Sequence, residues 1–176
     1  GARPGLRMRR GRLVVISLLG VAVAMGGGLW YAQTQAWYVE TIPAIEMTRF
    51  DGEVEVLAGE DLAGSDAETS PLRYRACFAT ALSQATLTET FIPYPDPVPL
   101  TAPGWFDCFD AAELGASLEA GEALAFLGRQ NAPYGFDVVV AVDGTGQGFA
   151  WRQMNPCGEA SFSGDPLPPG CAERSE

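Results

Sequence analysis

The most uniform stretch of the chain is Leu13 to Ala32, LVVISLLGVAVAMGGGLWYA, 20 residues without a charge. As a helix rising 1.5 Å per residue it covers about 30 Å, the hydrocarbon thickness of a bilayer. Beyond it the apolar runs shorten and turn residues interrupt them. Residues 44–50 and 53–57 flank Asp51-Gly52, the strongest short hairpin signal. AGEDLAGSDAETSP (58–71) is polar and rich in Gly, Ser and Asp, and reads as loop. LRYRACFA alternates enough for a strand through Cys77, and LSQATLTET reads as a short helix or a continued strand. FIPYPDPVPLTAP has five Pro in 13 residues and reads as extended, polyproline-like surface.

Asp110, with Glu113 three residues on, has the form of a capping box for a helix over 111–120 that Gly121 stops. ALAFLG (123–128) reads as a buried strand, and FDVVVAV and GFAWRQM as a hairpin around DGTGQ. The Pro-rich tail DPLPPGCAERSE reads as surface. Strands outnumber helices and no internal repeat is present, so the expected class is α+β. One N-terminal transmembrane helix precedes a small antiparallel-sheet domain with one main helix packed on a sheet face.

Charge gives this pattern a direction. Arg3, Arg7, Arg9, Arg10 and Arg12 all precede the apolar run, whereas from residue 33 on six Arg offset 22 acids, leaving −16. Positive flanking charge stays inside. The expected layout is therefore a basic cytoplasmic tail (1–12), a signal-anchor helix (13–32), a juxtamembrane linker (33–43) and an exported acidic domain (44–176). That places the protein in the inner (cytoplasmic) membrane, with its bulk in the periplasm. Met8 stands just before the RRGR run, and residues 1–7 are assigned no function. Trp30, Tyr31, Trp37 and Tyr38 suit the outer membrane interface. A cleaved signal peptide competes, with Ala22–Ala24 as an AVA site, but the apolar run continues past it through Tyr31. Gly20, Ala24, Gly28 and Ala32 recur every four residues. They form a small-residue face on which another membrane helix can pack closely.

The absence of His and Lys excludes much chemistry. Ser-His-Asp and Cys-His sites, His metal ligands, Walker-type loops and Schiff bases need a side chain that this sequence lacks. The acidity disfavours nucleic acid. Cys77, Cys108, Cys157 and Cys171 lie in no CxxC motif, and in an oxidising compartment four such cysteines read as two disulfides. Of three possible pairings, Cys77–Cys108 and Cys157–Cys171 close the shortest loops. A four-thiolate zinc site lacks the usual close spacing. A redox-active Cys108 is disfavoured by its acidic neighbours Asp107 and Asp110.

Within TAPGWFDCFDAAE (101–113), Pro103-Gly104 reads as a turn, Trp105 with Phe106 or Phe109 as core anchors, and Cys108 as half of a staple. DGTGQG (143–148) lacks the Lys of a phosphate loop and reads as a hairpin turn. Glu53, Glu55, Glu60 and Asp61 lack calcium-loop spacing and read as a solvated acidic face. Arg73 and Arg75, on one strand face about Tyr74, are expected to pair internally with acids.

SPLRYRACF (70–78), LTET (87–90), PLTAPGWFDCFD (99–110), ALAFLG (123–128) and NPCGE (155–159) resemble an uncharacterised alphaproteobacterial family of short, membrane-anchored proteins. The resemblance covers the apolar span and nearly all of the remainder, and it implies no activity, catalytic residue or cofactor. Members are sometimes labelled histidine kinases; a chain without His, and too short for a kinase core, rules that out here. No catalytic residue, metal ligand or cofactor motif emerges, so the expectation is a binding protein rather than an enzyme. An accessory or assembly subunit of a membrane complex, such as an electron-transfer complex, fits best. Its helix would meet a membrane partner and its acidic face a basic periplasmic protein. The alternative is a ligand-binding or envelope-sensing module with a pocket near Trp105, Phe106 and Tyr134.

Overall fold

The computed structural model describes residues 5–34, 38–41 and 44–171, with side chains from residue 11 on. The chain divides after residue 37 into two compact units, and each is described by itself.

The first unit contains helix α1 (Gly5–Thr34). Its stretch Gly11–Thr34 has a mean hydropathy of 2.2 and none of that window is buried, so it is long and apolar enough to cross a membrane. Leu13, Val15, Leu18, Val21, Val23 and Met25 are exposed around its circumference. A helix apolar on every side matches an apolar surrounding rather than one protein face. Near its end the Thr34 hydroxyl donates to the Trp30 carbonyl at 2.8 Å.

The second unit runs β1 (Val39–Thr41), β2 (Ile45–Thr48), β3 (Val54–Leu57), β4 (Glu60–Asp66), a 3₁₀ turn (Pro71–Arg73) and β5 (Arg75–Ala79). Then come α2 (Gln84–Thr90), α3 (Ala111–Ala120), β6 (Ala123–Leu127), β7 (Phe136–Asp143), β8 (Gln147–Met154) and α4 (Pro156–Ser163). Six strands form one antiparallel sheet in the order β1-β4-β5-β8-β7-β6, and β2 and β3 pair separately.

Period-two alternation sorts the sheet residues into two cores. Ala76, Phe78, Val140, Val142, Ala150 and Phe126 meet Ile45, Met47, Leu57, Leu87 and Phe91 from the hairpin and α2. On the opposite face Cys77, Val139, Ala141, Trp151 and Ala123 meet Phe106, Phe109 and Leu114 from the 105–109 segment and α3. The central strands β5, β7 and β8 are thus covered on both faces.

Local chemistry starts and stops the helices. Asp110 Oδ1 accepts from the N–H groups of Ala112 and Glu113 at 2.9 and 3.1 Å. Gly121 ends α3 with φ of 73°, a conformation cheap only for Gly. Ser83 caps α2 by accepting from Thr86 N–H, which makes LSQATLTET a helix rather than a strand.

Two expectations are corrected. Residues 58–71 are not loop throughout: β4 pairs with β1 and β5, across a bulge between Glu60 and Ala63. Its backbone ladder and the small Ala63, Gly64 and Ser65 sustain a strand that polar composition disguised. Within the 33–43 linker, Val39–Thr41 forms β1, the edge of the main sheet. Ahead of the tail, in residues given no element above, the chain forms α4, with Pro156 in its first turn, Asn155 accepting from Gly158 N–H, and Gly164 at φ of 79° behind it.

Candidate functional site

Both disulfides form between the sequence-near pairs, Cys77–Cys108 and Cys157–Cys171, and no described cysteine is free. Cys77 is buried on β5 and Cys108 is exposed, so the first bridge ties the 105–109 segment to the sheet centre. Phe106 and Phe109 are buried, and Phe106 N–H donates to the Pro103 carbonyl at 2.9 Å, closing the expected turn. Trp105 is half-buried. Tyr38 and Phe106 both approach its ring edge-on with centroids 5.9 Å away.

Between this segment and strands β1 and β4 lies an open cleft of about 580 Å³, lined by Glu40, Thr41, Leu62, Ala63, Gly64 and Trp105–Cys108. Trp105 and Phe106 line it as the ligand-pocket alternative expects, but Tyr134 is not among its lining residues. A second cleft, about 340 Å³, brings Asp107, Asp110, Glu113 and Asp143 near Cys108. Two of these carboxylates are committed to local structure: Asp110 caps α3, and Asp143 Oδ1 accepts from Thr145 N–H and Oγ1–H and from Gln147 N–H at 2.7–3.0 Å. Among the described residues no group of three or more His, Cys, Asp or Glu is arranged to hold a metal ion. Glu55 stands on β3 with Glu53 just before it, while Glu60 and Asp61 stand on β4 in the other sheet, and Glu55 bonds Arg49 at 2.8 Å.

The two most deeply placed charges are also consumed by the fold. Arg75 is 3% exposed. Its guanidinium donates to the carbonyls of Leu72, Tyr74, Leu100 and Thr101 at 2.6–3.0 Å. Burial lowers its pKa to about 10, which leaves it a cation at neutral pH. The expected pairing of Arg73 and Arg75 with acids on one strand face is therefore corrected. Arg75 is internal but held by carbonyls, and Arg73 ends the 3₁₀ turn with its guanidinium 5.1 Å from the Tyr38 ring centroid.

Asp137, 6% exposed, is the opposite case. Its carboxylate accepts from Asn131 N–H (2.9 Å), Asn155 Nδ2–H (2.7 Å) and the Tyr94 hydroxyl (3.3 Å). Burial, then the Asp137 charge and hydrogen bond, raises the Tyr94 pKa above its ordinary 10.0. Gly158 stands where a Cβ would fall 2.2 Å from the Gly135 carbonyl oxygen. NPCGE is thus a joint between α4 and the sheet, a role invisible in the motif alone.

Gly20, Ala24, Gly28 and Ala32 all lie in α1, and a Cβ at Gly20 or Gly28 would meet nothing within 4 Å. Trp30 and Tyr31 are exposed on the same helix, and Trp37 lies outside the described residues. Sequence reasoning did not single out the hairpin surface. Phe50, Val54 and Val56, on or beside β3, are 60%, 46% and 59% exposed. The signal was present in RFDGEVEVL, where Val54 and Val56 alternate with Glu53 and Glu55.

The fold and its surfaces define a class: an apolar N-terminal helix joined to a disulfide-stapled antiparallel α+β domain. The chain belongs to a family of unknown function, DUF6446, whose sequence model matches residues 45–172. No curated protein and no solved structure matches it.

Proposed function

We propose that the protein is a single-pass, membrane-anchored binding protein. It serves as an accessory or assembly subunit of a membrane complex, with its acidic domain on the periplasmic side of the inner membrane. One observation carries the reading: Phe50, Val54 and Val56 stay exposed together on a domain whose Arg75 and Asp137 are already satisfied internally. Exposed apolar side chains in a cluster mark interaction surfaces. The apolar α1 and its small-residue face support a membrane partner.

Purification from native membranes in mild detergent, followed by identification of co-eluting proteins, tests the reading. A stable complex is expected, and a chain that elutes alone under several mild conditions overturns it. Gly20→Leu with Gly28→Leu is expected to release the partner bound through α1; unchanged co-elution removes that face from the interface. If the partner is a basic electron carrier, association weakens steeply with added salt. A ligand-binding module is the second reading, favoured by the Trp105 cleft. A saturable change in Trp105 fluorescence with a small molecule, lost in Trp105→Ala, would support it.

A further inference from the structure

The exposed hairpin has a property that its side chains alone do not reveal. Arg49 N–H donates to the Glu53 carbonyl at 2.9 Å. With the observed register, the directly bonded pairs are then Arg49/Glu53, Met47/Glu55 and Ile45/Leu57. The N–H and C=O groups of Val54 and Val56 therefore point away from β2. On the other side of β2 the corresponding Thr48 carbonyl is taken by Ile92 N–H at 3.0 Å. Among the described residues β3 pairs with β2 alone. Val54 and Val56 thus present exposed side chains and an unpaired backbone edge on one strand, which is the template for adding another strand.

We propose that this edge of β3 is a docking strand that accepts an extended segment of another protein in which apolar residues alternate with Arg or Lys. The inference rests on the binding reading above and gives it a place and a chemistry. An added strand repeats the period of two. Its apolar side chains would lie beside Val54 and Val56, and its intervening residues beside Glu53 and Glu55. The hairpin carries Asp51, Glu53 and Glu55 against Arg49, which reaches Asp51 at 3.6 Å and Glu55 at 2.8 Å. The remaining negative charge selects a cationic segment. It opposes a second copy of this chain, which would set Glu53 and Glu55 against like charges. An anionic lipid surface is repelled for the same reason.

The test uses the full chain in detergent micelles and a synthetic peptide of about six residues, the usual strand length, alternating Val and Lys. Amide hydrogen exchange at Val54 and Val56 is the readout. At about ten times the peptide's Kd, both amides are expected to slow about tenfold. The same peptide with Glu for Lys is expected to leave them unchanged. Val56→Pro removes an N–H that β2 does not use, so it keeps the fold, checked by an unchanged melting curve, and abolishes the protection read at the remaining Val54 amide.

Unaltered exchange with the Lys peptide overturns the proposal. So does equal protection by the Glu peptide or by phosphatidylglycerol vesicles, and so does protection that rises with chain concentration alone. Co-elution from native membranes separates the two readings. If Val56→Pro leaves a complex intact, the docking strand fails and the subunit reading stands. If the native chain elutes alone while the Lys peptide still protects both amides, the subunit reading fails and the docking strand stands.

Discussion

Gly148→Ala tests the packing of the central strands. Gly148 on β8 is directly opposite Phe78 on β5. A Cβ built on Gly148 would lie 2.2, 2.3 and 2.6 Å from three atoms of the Phe78 ring. Unstrained carbon contacts are about 3.5–4.0 Å, so the ring has to retreat by more than about 1 Å. It has no solvent to retreat into, because Phe78 is 1% exposed within the core that includes Ala76, Val142 and Ala150. Overpacking of this kind costs typically 1–3 kcal/mol, and the buried, rigid obstacle puts this case at about 3 kcal/mol. Gly148 does not have a positive φ, so the backbone admits Ala and the cost belongs to the clash.

The assay is urea unfolding of the full chain in detergent micelles without reductant, followed by Trp fluorescence, since Trp151 is fully buried. Gly144→Ala, where a Cβ meets nothing within 4 Å, is the control and should change stability by less than about 0.5 kcal/mol. Phe78→Leu alone is expected to cost about 1.5 kcal/mol. Combined with Gly148→Ala it should cost at least about 1 kcal/mol less than the two separately, because the smaller side chain makes room. Strict additivity would refute the contact.

The other predictions concern the buried polar groups and the bridges. Arg75→Met strands four carbonyls while relieving the burial of a cation, and a net loss of about 3 kcal/mol is expected from the same unfolding curves. Arg75→Lys should recover little, since an ammonium lacks the planar fork that spans Leu72 and Thr101. Tyr74 and Tyr94 both have hydroxyl pKa values raised above 10.0, first by burial. Their contribution is complete below pH 10 and is lost as the pH rises through the raised folded values, so stability should fall above pH 10. Tyr94→Phe should flatten that fall in unfolding midpoints measured at rising pH. Replacing Cys77 and Cys108 by Ser opens a loop of sequence separation 31 and should cost about 3.7 kcal/mol by loop-closure entropy. For Cys157 and Cys171, separation 14, the figure is about 3 kcal/mol, again read from urea midpoints.

What the sequence made legible was governed by local rules. The Asp51-Gly52 hairpin, the Asp110 cap, the Gly121 stop and the 136–154 hairpin each need only neighbouring residues, and each is present. The disulfide pairing followed because both bridges join sequence-near cysteines. β4 was hidden because its support comes from strands on either side, one of them β1 from the 33–43 segment. α4 went unassigned because its local signal is short, Asn155 as a cap and Pro156 in the first turn, and it was not used. The roles of Arg75 and Asp137 depend on distant partners as well as near ones: Leu100 and Thr101, 25 and 26 residues from Arg75, and Tyr94, 43 from Asp137. No spacing rule reaches that far. The free edge of β3 was missed for another reason: alternation shows which side chains face out, but not which backbone edge lacks a neighbour.

The position of β8 in the sheet also dictates an order of assembly. β5 finds its second neighbour only in residues 147–151, about seventy positions later in the chain. While the chain emerges from its N-terminus, β4 and β5 can pair early, but the far edge of β5 stays unsatisfied until β8 has followed. The wait includes the Pro-rich segment, whose Leu100 and Thr101 carbonyls must arrive before Arg75 can be sealed in. Cys77, on that same strand, is already available when Cys108 appears. Closing the first disulfide before β8 docks would tether the 105–109 segment over the waiting strand, turning the most exposed stage of folding into a guarded one.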